Sequence, residues 1–256
     1  MNSSATPKPL VILPTYCERE TLPGVLSRIL TAVPTAEILV VDDNSPDGTG
    51  DWADLFAADE SRVHVLKRPH KEGLGPAYIA GFTWALSKRF TAIVEMDADG
   101  SHQPEELPTL LAAVGNGADL AIGTRWIAGG TVENWPWYRQ FISRAGTRYA
   151  RTLLGSRLHD LTSGYRAFSS EALKSLDLSK IDAQGYAFQI ELAWQLERAG
   201  ATIVEVPITF VERLHGRSKM STRIVVEAFV RVTWWTITAR NSKSLTGGKS
   251  AAARYR

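Results

Sequence analysis

Ile38-Leu39-Val40-Val41-Asp42-Asp43-Asn44-Ser45-Pro46-Asp47-Gly48 is the stretch on which the reading of the fold turns. Four apolar residues, three of them β-branched, stop at two carboxylates and a run of turn formers. That pattern predicts a strand buried on both faces, opening at its end into a polar loop. The same unit recurs around it. Residues 10–13, stopped by Pro14, read as an earlier strand, and 63–66, 92–96 and 120–122 as later ones. Helical spacing at Leu22, Val25, Leu26, Ile29, Leu30 and Val33 predicts a helix over 21–33, with others near 51–58, 76–87 and 105–114. Strand and helix alternating five times imply an α/β fold, with a mostly parallel Rossmann-like sheet flanked by helices. Ligands are then expected beyond the C-terminal ends of the strands.

Composition narrows the function. The chain has 256 residues, 44% of them apolar, and 29 Lys+Arg against 27 Asp+Glu give a formal charge of +2. The small total hides a split. Residues 1–123 carry 9 basic and 17 acidic side chains, summing to −8, whereas 124–256 carry 20 and 10, summing to +10. A protein that coats nucleic acid is usually basic throughout, so nucleic acid is not an expected partner. Cys17 stands alone, which excludes an intrachain disulfide and Cys-based zinc or iron–sulfur sites and points to a reducing compartment. Residues 1–9 form an N-terminal tail with no apolar run long enough for a signal peptide. The longest apolar stretch, 224–238, is interrupted by Glu227 and Arg231, so no transmembrane helix is expected.

The strand ends carry the chemistry. Asp97-Ala98-Asp99-Gly100-Ser101 follows the fourth strand and sets two carboxylates at the edge of the sheet where ligands are expected. One can then serve a hard cation such as Mg²⁺ or Mn²⁺ while the other meets a neighbouring ligand group. Tyr16 can stack on a base, and Glu18 and Asp43 can accept from base or ribose donors. Lys71-Glu72-Gly73-Leu74-Gly75 adds glycines that let backbone approach a ligand. A dinucleotide-binding G-x-G-x-x-G is absent: its place after the first strand holds Pro14-Thr15-Tyr16-Cys17-Glu18-Arg19. Gly248-Lys249-Ser250 resembles the end of a P-loop, but Lys243 stands where the first glycine is required.

Taken in order, the motifs resemble glycosyltransferase family 2, and more closely its dolichol- or polyprenol-phosphate mannose synthases. They run from Ile12-Leu13-Pro14-Thr15-Tyr16-x-Glu18 through Val40–Thr49, Lys71-x-Gly73-Leu74-Gly75 and Met96-Asp97-Ala98-Asp99-Gly100-Ser101-His102 to Gly123-Thr124-Arg125, Thr162-Ser163-Gly164-Tyr165-Arg166 and Arg213-x-x-Gly216-x-Ser218-Lys219. The resemblance implies the GT-A glycosyltransferase fold over 10–220 and inverting transfer of mannose from GDP-mannose to a polyprenyl phosphate. By the same resemblance Pro14, Tyr16, Glu18, Val41, Asp43, Asp97, Ala98, Asp99, Arg213 and Lys219 hold the nucleotide sugar, and Asp99 and Ser101 hold the metal. Ser101 stands where the family often has Gln, which makes it the weaker ligand. Arg125, Arg139 and Ser143 match positions that grip the acceptor phosphate, and Asp99, Arg125 and Lys219 are the residues expected to carry catalysis. A UDP-sugar donor is the nearest alternative, and a non-catalytic membrane-recruitment protein a remote one.

The remainder of the chain suggests where the lipid sits. Residues 138–154 read as an arginine-rich helix, 164–168 and 202–206 as strands and 188–198 as another helix. Residues 221–239 read as a C-terminal amphipathic helix, interfacial or packed on the core, with Trp234 and Trp235 as anchors. The acid-free tail 240–256 is expected to be disordered, its five basic residues suiting an anionic membrane surface. Peripheral attachment at the cytoplasmic side of a membrane, or a membrane-spanning partner subunit, is expected.

Overall fold

The computed structural model describes residues 8–213 and 222–245. Among them the first half runs β1 (Pro9–Thr15), α1 (Leu22–Ala32), β2 (Glu37–Asp42), α2 (Thr49–Asp59), β3 (Val63–Lys67), α3 (Leu74–Leu86), β4 (Ala92–Glu95), α4 (Leu107–Gly115) and β5 (Leu120–Thr124). The second half adds β6 (Thr131–Glu133), α5 (Trp137–Leu154), β7 (Arg166–Ser169), α6 (Ser170–Ser175), α7 (Gly185–Ala199), β8 (Ile203–Pro207), β9 (Thr209–Val211) and α8 (Thr222–Leu245). Seven strands form one sheet in the order β3-β2-β1-β4-β7-β5-β8, parallel throughout except for β7, which runs antiparallel to both neighbours. β6 and β9 form a separate parallel pair.

The apolar runs are continuous because helices cover both faces of the sheet. Leu10 and Ile12 pack with Leu39, Val41, Tyr78, Phe82 and Phe188 on one face. Val11 and Leu13 pack with Ile38, Val40, Leu26, Ile29 and Leu110 on the other, following the two-residue period of a strand. Each such side chain, fully buried, stabilises the fold by about 1.5–3 kcal/mol. Gly81 lets α3 lie close against β1, since a Cβ there would stand 2.7 Å from Ile12 Cγ2.

The second half departs from the sequence reading. β6, β9 and α6 are three to six residues long, too short for any periodicity to register. α7 starts at Gly185, three residues before the expected 188. α8 continues to Leu245, so residues 240–245, expected in a disordered tail, are helical. The remainder of that tail, the N-terminal residues 1–7 and the segment 214–221 with Lys219 lie outside the described residues.

Nor is α8 divided into one polar and one apolar face. Ala228, Val232 and Thr236 are buried, Phe229 packs on Tyr149 of α5 at 4.7 Å, and Trp235 stacks on Trp194 of α7 at 5.9 Å. Val226, Val230, Trp234 and Ile237 are exposed on the far side. Arg231 donates to Asp182 at 2.5 Å and to Glu227 at 3.1 Å, so the charged stripe seats the helix near the start of α7. Of the two expected anchors, Trp234 alone faces outward; Trp235 is a packing residue. Among the described residues no helix is long and apolar enough to cross a membrane.

Candidate active site

β1 and β2 pair in register up to Thr15 and Asp42, so their terminal loops emerge at one edge. The two carboxylates at the end of β2 then divide their tasks. Asp42 closes the turn, accepting from Thr15 Oγ1 (2.9 Å), Ser45 Oγ (2.5 Å) and the Ser45 N–H (3.0 Å). Asp43 opens onto a cleft, where it accepts from Arg68 Nη1 at 2.6 Å and the Glu72 N–H at 3.3 Å. Lys71 Nζ lies 3.9 Å from the ring centroid of Tyr16, against a face on which a planar base can stack. Glu18 accepts from Thr21 Oγ1 at 3.0 Å. Val41 is a correction: it is fully buried in the core and does not line the cleft, because its position on β2 turns the side chain toward Gly81.

The loop after β4 is held by a histidine to which the sequence reading assigned no task. His102 is 2% exposed and accepts the Asp97 N–H through Nδ1 at 3.0 Å. Its ring stacks on Tyr165, with centroids 4.8 Å apart. Burial pushes its pKa down to about 4, so it is neutral and its proton sits on Nε2. Gly100, at φ 81°, turns the chain so that Asp99 Oδ1 accepts the Ser101 N–H at 3.0 Å. Asp99 Oδ2 meets Arg213 Nη2 at 3.0 Å. Ser101 Oγ is buried, has no partner among the described residues and is not among the groups lining the cleft. A cation here would rest on the carboxylates.

The opposite wall gathers the basic half. Arg125, just after β5, donates through Nε and Nη2 to both oxygens of fully buried Asp160 at 2.7 and 2.8 Å. Nη2 also reaches Thr162 Oγ1 at 3.0 Å and Ser143 Oγ at 3.4 Å. Trp126, Trp135 and Phe210 surround the guanidinium. Arg139 donates to both oxygens of Glu212 at 2.6 and 2.7 Å. The described arginines of the expected phosphate clamp therefore each hold a carboxylate already. Arg has five donors in a fixed fork and can serve carboxylate and phosphate together, and Nη1 of Arg125 takes no part in the bonds to Asp160.

The walls enclose a cleft of about 350 Å³. Pro14, Tyr16, Glu18, Asp43, Asp97, Ala98, Asp99, Arg125, Arg139 and Arg213 all line it. Ser143 lines a smaller, largely apolar cavity alongside, which shares Arg139, Thr162 and Tyr186 with the cleft. Sequence reasoning missed Gln184, Tyr186, Gln189 and Phe210, which also line the cleft. None carries a charge or sits at a predicted strand end, so no local signal marked them.

Beneath the floor lies Glu95, fully buried, with both carboxyl oxygens lacking an aligned partner. Burial pushes its pKa up to about 8, against opposing effects of Arg166 and of the nearby Gln189 amide. The native state thus holds this proton more tightly than the unfolded chain does. The contribution is full below about pH 4.5 and is lost as pH rises through about 8. Glu95→Gln is expected to gain stability over the parent at about pH 9 but not at about pH 5, measured by urea unfolding. An equal difference at both pH values would refute the assignment.

A carboxylate pair after a central parallel strand thus faces an arginine-lined wall across a nucleotide-sized cleft. A profile of glycosyl transferase family 2 matches residues 10–177 of the same chain. The chain belongs to glycosyltransferase family 2. This family 2 glycosyltransferase is 55% identical over 236 residues to a polyprenol monophosphomannose synthase of Mycolicibacterium smegmatis, covering 92% of this chain and 89% of that protein. It is 56% identical over 231 residues to an undecaprenyl-phosphate mannosyltransferase of Micrococcus luteus, covering 90% and 95%. The structure of glucosyl-3-phosphoglycerate synthase from Mycobacterium tuberculosis, solved with Mn²⁺, UDP-glucose and phosphoglyceric acid, aligns with a TM-score of 0.65. At 23% identity, over 93% of this chain and 81% of that one, it shows that the family 2 chain has the GT-A fold.

Proposed function

We propose that this glycosyltransferase moves mannose from GDP-mannose to a polyprenyl phosphate, giving polyprenyl phosphate β-mannose and GDP. The observation that carries the reading is a single cleft with Tyr16 and Asp43 at one end, the Asp97–Asp99 pair at its middle and Arg125 with Arg139 at the other. The mannosyl relatives, more than half identical over nearly the whole chain, support the sugar and the acceptor.

Tyr16 stacks on the base, with Lys71 moving aside, while Asp43 and Glu18 accept from base or ribose donors. The donor set suits a divalent cation: Asp99 and Asp97 offer hard oxygens, and among the described residues no cluster of three His, Cys, Asp or Glu could hold a metal alone. Such a site is completed by substrate phosphates, as Mg²⁺ or Mn²⁺ sites commonly are. When bound, the ion neutralises charge that develops on the departing diphosphate. Arg213 supports the same charge, and so, by the resemblance, does Lys219. At the far wall Arg125, Arg139, Ser143 and Thr162 hold the acceptor phosphate, whose oxygen forms the new bond to the anomeric carbon as the bond to the diphosphate breaks. That oxygen is already anionic, so positioning and charge stabilisation carry the reaction without a dedicated base. Attack opposite the leaving group inverts the configuration.

The lipid requires a surface. Trp137, Phe141, Val230 and Trp234 project from α5 and α8 at 62–78% exposure, suiting a peripheral position at the cytoplasmic face of a membrane. Transfer of labelled mannose from GDP-mannose to polyprenyl phosphate, with GDP and UDP compared by titration calorimetry, tests the reading. Metal-dependent transfer and a preference for GDP are expected. Preferential UDP binding without mannosyl transfer would sink it.

A further inference from the structure

We infer that Gln189 reads hydroxyl groups of the transferred sugar, in a subsite kept open by Gly164. The inference rests on the mannosyl-transfer reading and adds a specificity-determining side chain to it. Gln189 lies in the early turns of α7, its backbone carbonyl held by Arg166 Nη1 at 2.6 Å. Its side chain lines the cleft and is 2% exposed, yet neither Nε2 nor Oε1 has an aligned partner among the described residues. A buried amide with both ends unmet is costly unless a ligand satisfies it. The neighbouring Glu95 is close enough to feel the amide but is not aligned with it.

Location identifies the ligand. A Cβ on Gly164 would stand 3.6 Å from Gln189 Nε2 and 3.9 Å from His102 Cε1. His102 anchors the Asp97 loop on the donor side, and Thr162, two residues before Gly164, hydrogen-bonds Arg125 on the acceptor side. Gln189 therefore sits between the diphosphate and acceptor-phosphate ends, where the anomeric carbon must lie for transfer. The group that fills this interval is a neutral, hydroxyl-rich hexose. A carboxamide donates through Nε2 and accepts through Oε1, matching sugar hydroxyls. Being neutral, it adds no negative charge where two phosphorylated substrates already meet.

The test compares the parent, Gln189→Ala and Gly164→Ala. Turnover is measured with GDP-mannose and with its monodeoxy analogues, and Kd with GDP alone. Gln189→Ala is expected to lower kcat/KM for GDP-mannose about tenfold or more, with the Kd for GDP within about twofold. One deoxy analogue should be penalised by the parent and not further penalised by Gln189→Ala, the signature of a shared contact. Gly164→Ala meets only ordinary van der Waals neighbours, so Tm and GDP affinity should hold while GDP-mannose turnover falls. GDP and GDP-mannose weakening in step, or every deoxy penalty persisting unchanged in Gln189→Ala, overturns the inference. If the parent transfers a different nucleotide sugar, the mannose reading fails, and the same series with that sugar decides the place of Gln189.

Discussion

Asp99→Asn is expected to lower kcat/KM for mannosyl transfer about a hundredfold or more while leaving the fold intact. The substitution is nearly isosteric. The Oδ1 that accepts the Ser101 N–H at 3.0 Å is retained, and so is the turn at Gly100. What disappears is the negative charge that faces Arg213 at 3.0 Å and offers the cleft a hard oxygen. Charge stabilisation on a leaving diphosphate is the main demand of this chemistry, so the loss should fall on the transition state. Initial rates with labelled GDP-mannose across a Mg²⁺ or Mn²⁺ titration, alongside thermal melts, check it. Parent-like kinetics in a normally folded variant would remove Asp99 from the mechanism.

The second large effect concerns stability. Arg166 is fully buried and donates to the carbonyls of Ser163 (2.8 Å), Leu161 (2.9 Å) and Gln189 (2.6 Å). Glu95 is its register partner on β4, and burial pushes the Arg166 pKa down to about 10, so it stays charged at neutral pH. Arg166→Met fills similar space but leaves those three carbonyls without this donor. Leaving three buried carbonyls short of a charged donor costs about 3–5 kcal/mol in all. For a domain of this size that is a fall in Tm of about 10 °C. Calorimetric melts of purified Arg166→Met measure it, and an unchanged Tm would mean that the three carbonyl contacts contribute nothing.

Arg166 also shows where reading the sequence stops. Its motif was recognisable, but nothing in Thr162-Ser163-Gly164-Tyr165-Arg166 says that the guanidinium turns inward to tie the segment before β7 to α7 under the cleft. Arg125 is similar. Its place in the Gly123-Thr124-Arg125 motif was legible, whereas its ion pair with Asp160, 35 residues away, was not. The helix at 221–239 was legible in kind but not in its faces, because the partners that bury Trp235 and engage Arg231 lie on other elements. His102 lay inside a quoted motif, yet its hold on Asp97 depends on a stack with Tyr165.

The sequence by itself determined the alternating architecture, the sheet edge at which the cleft opens, and the residues 14–16, 18, 43 and 97–99 that line it. These follow from local signals: apolar period, turn formers and carboxylates at strand ends, each read within a few residues. Only the tertiary structure decided that Val41 and Ser101 lie behind the surface, that Arg125 and Arg139 are already paired with carboxylates, and that Gln189 lines the cleft. Those outcomes depend on which side chains distant elements bring within about 3–4 Å, and hydrogen bonding and ion pairing at that range leave no periodic trace in a single chain.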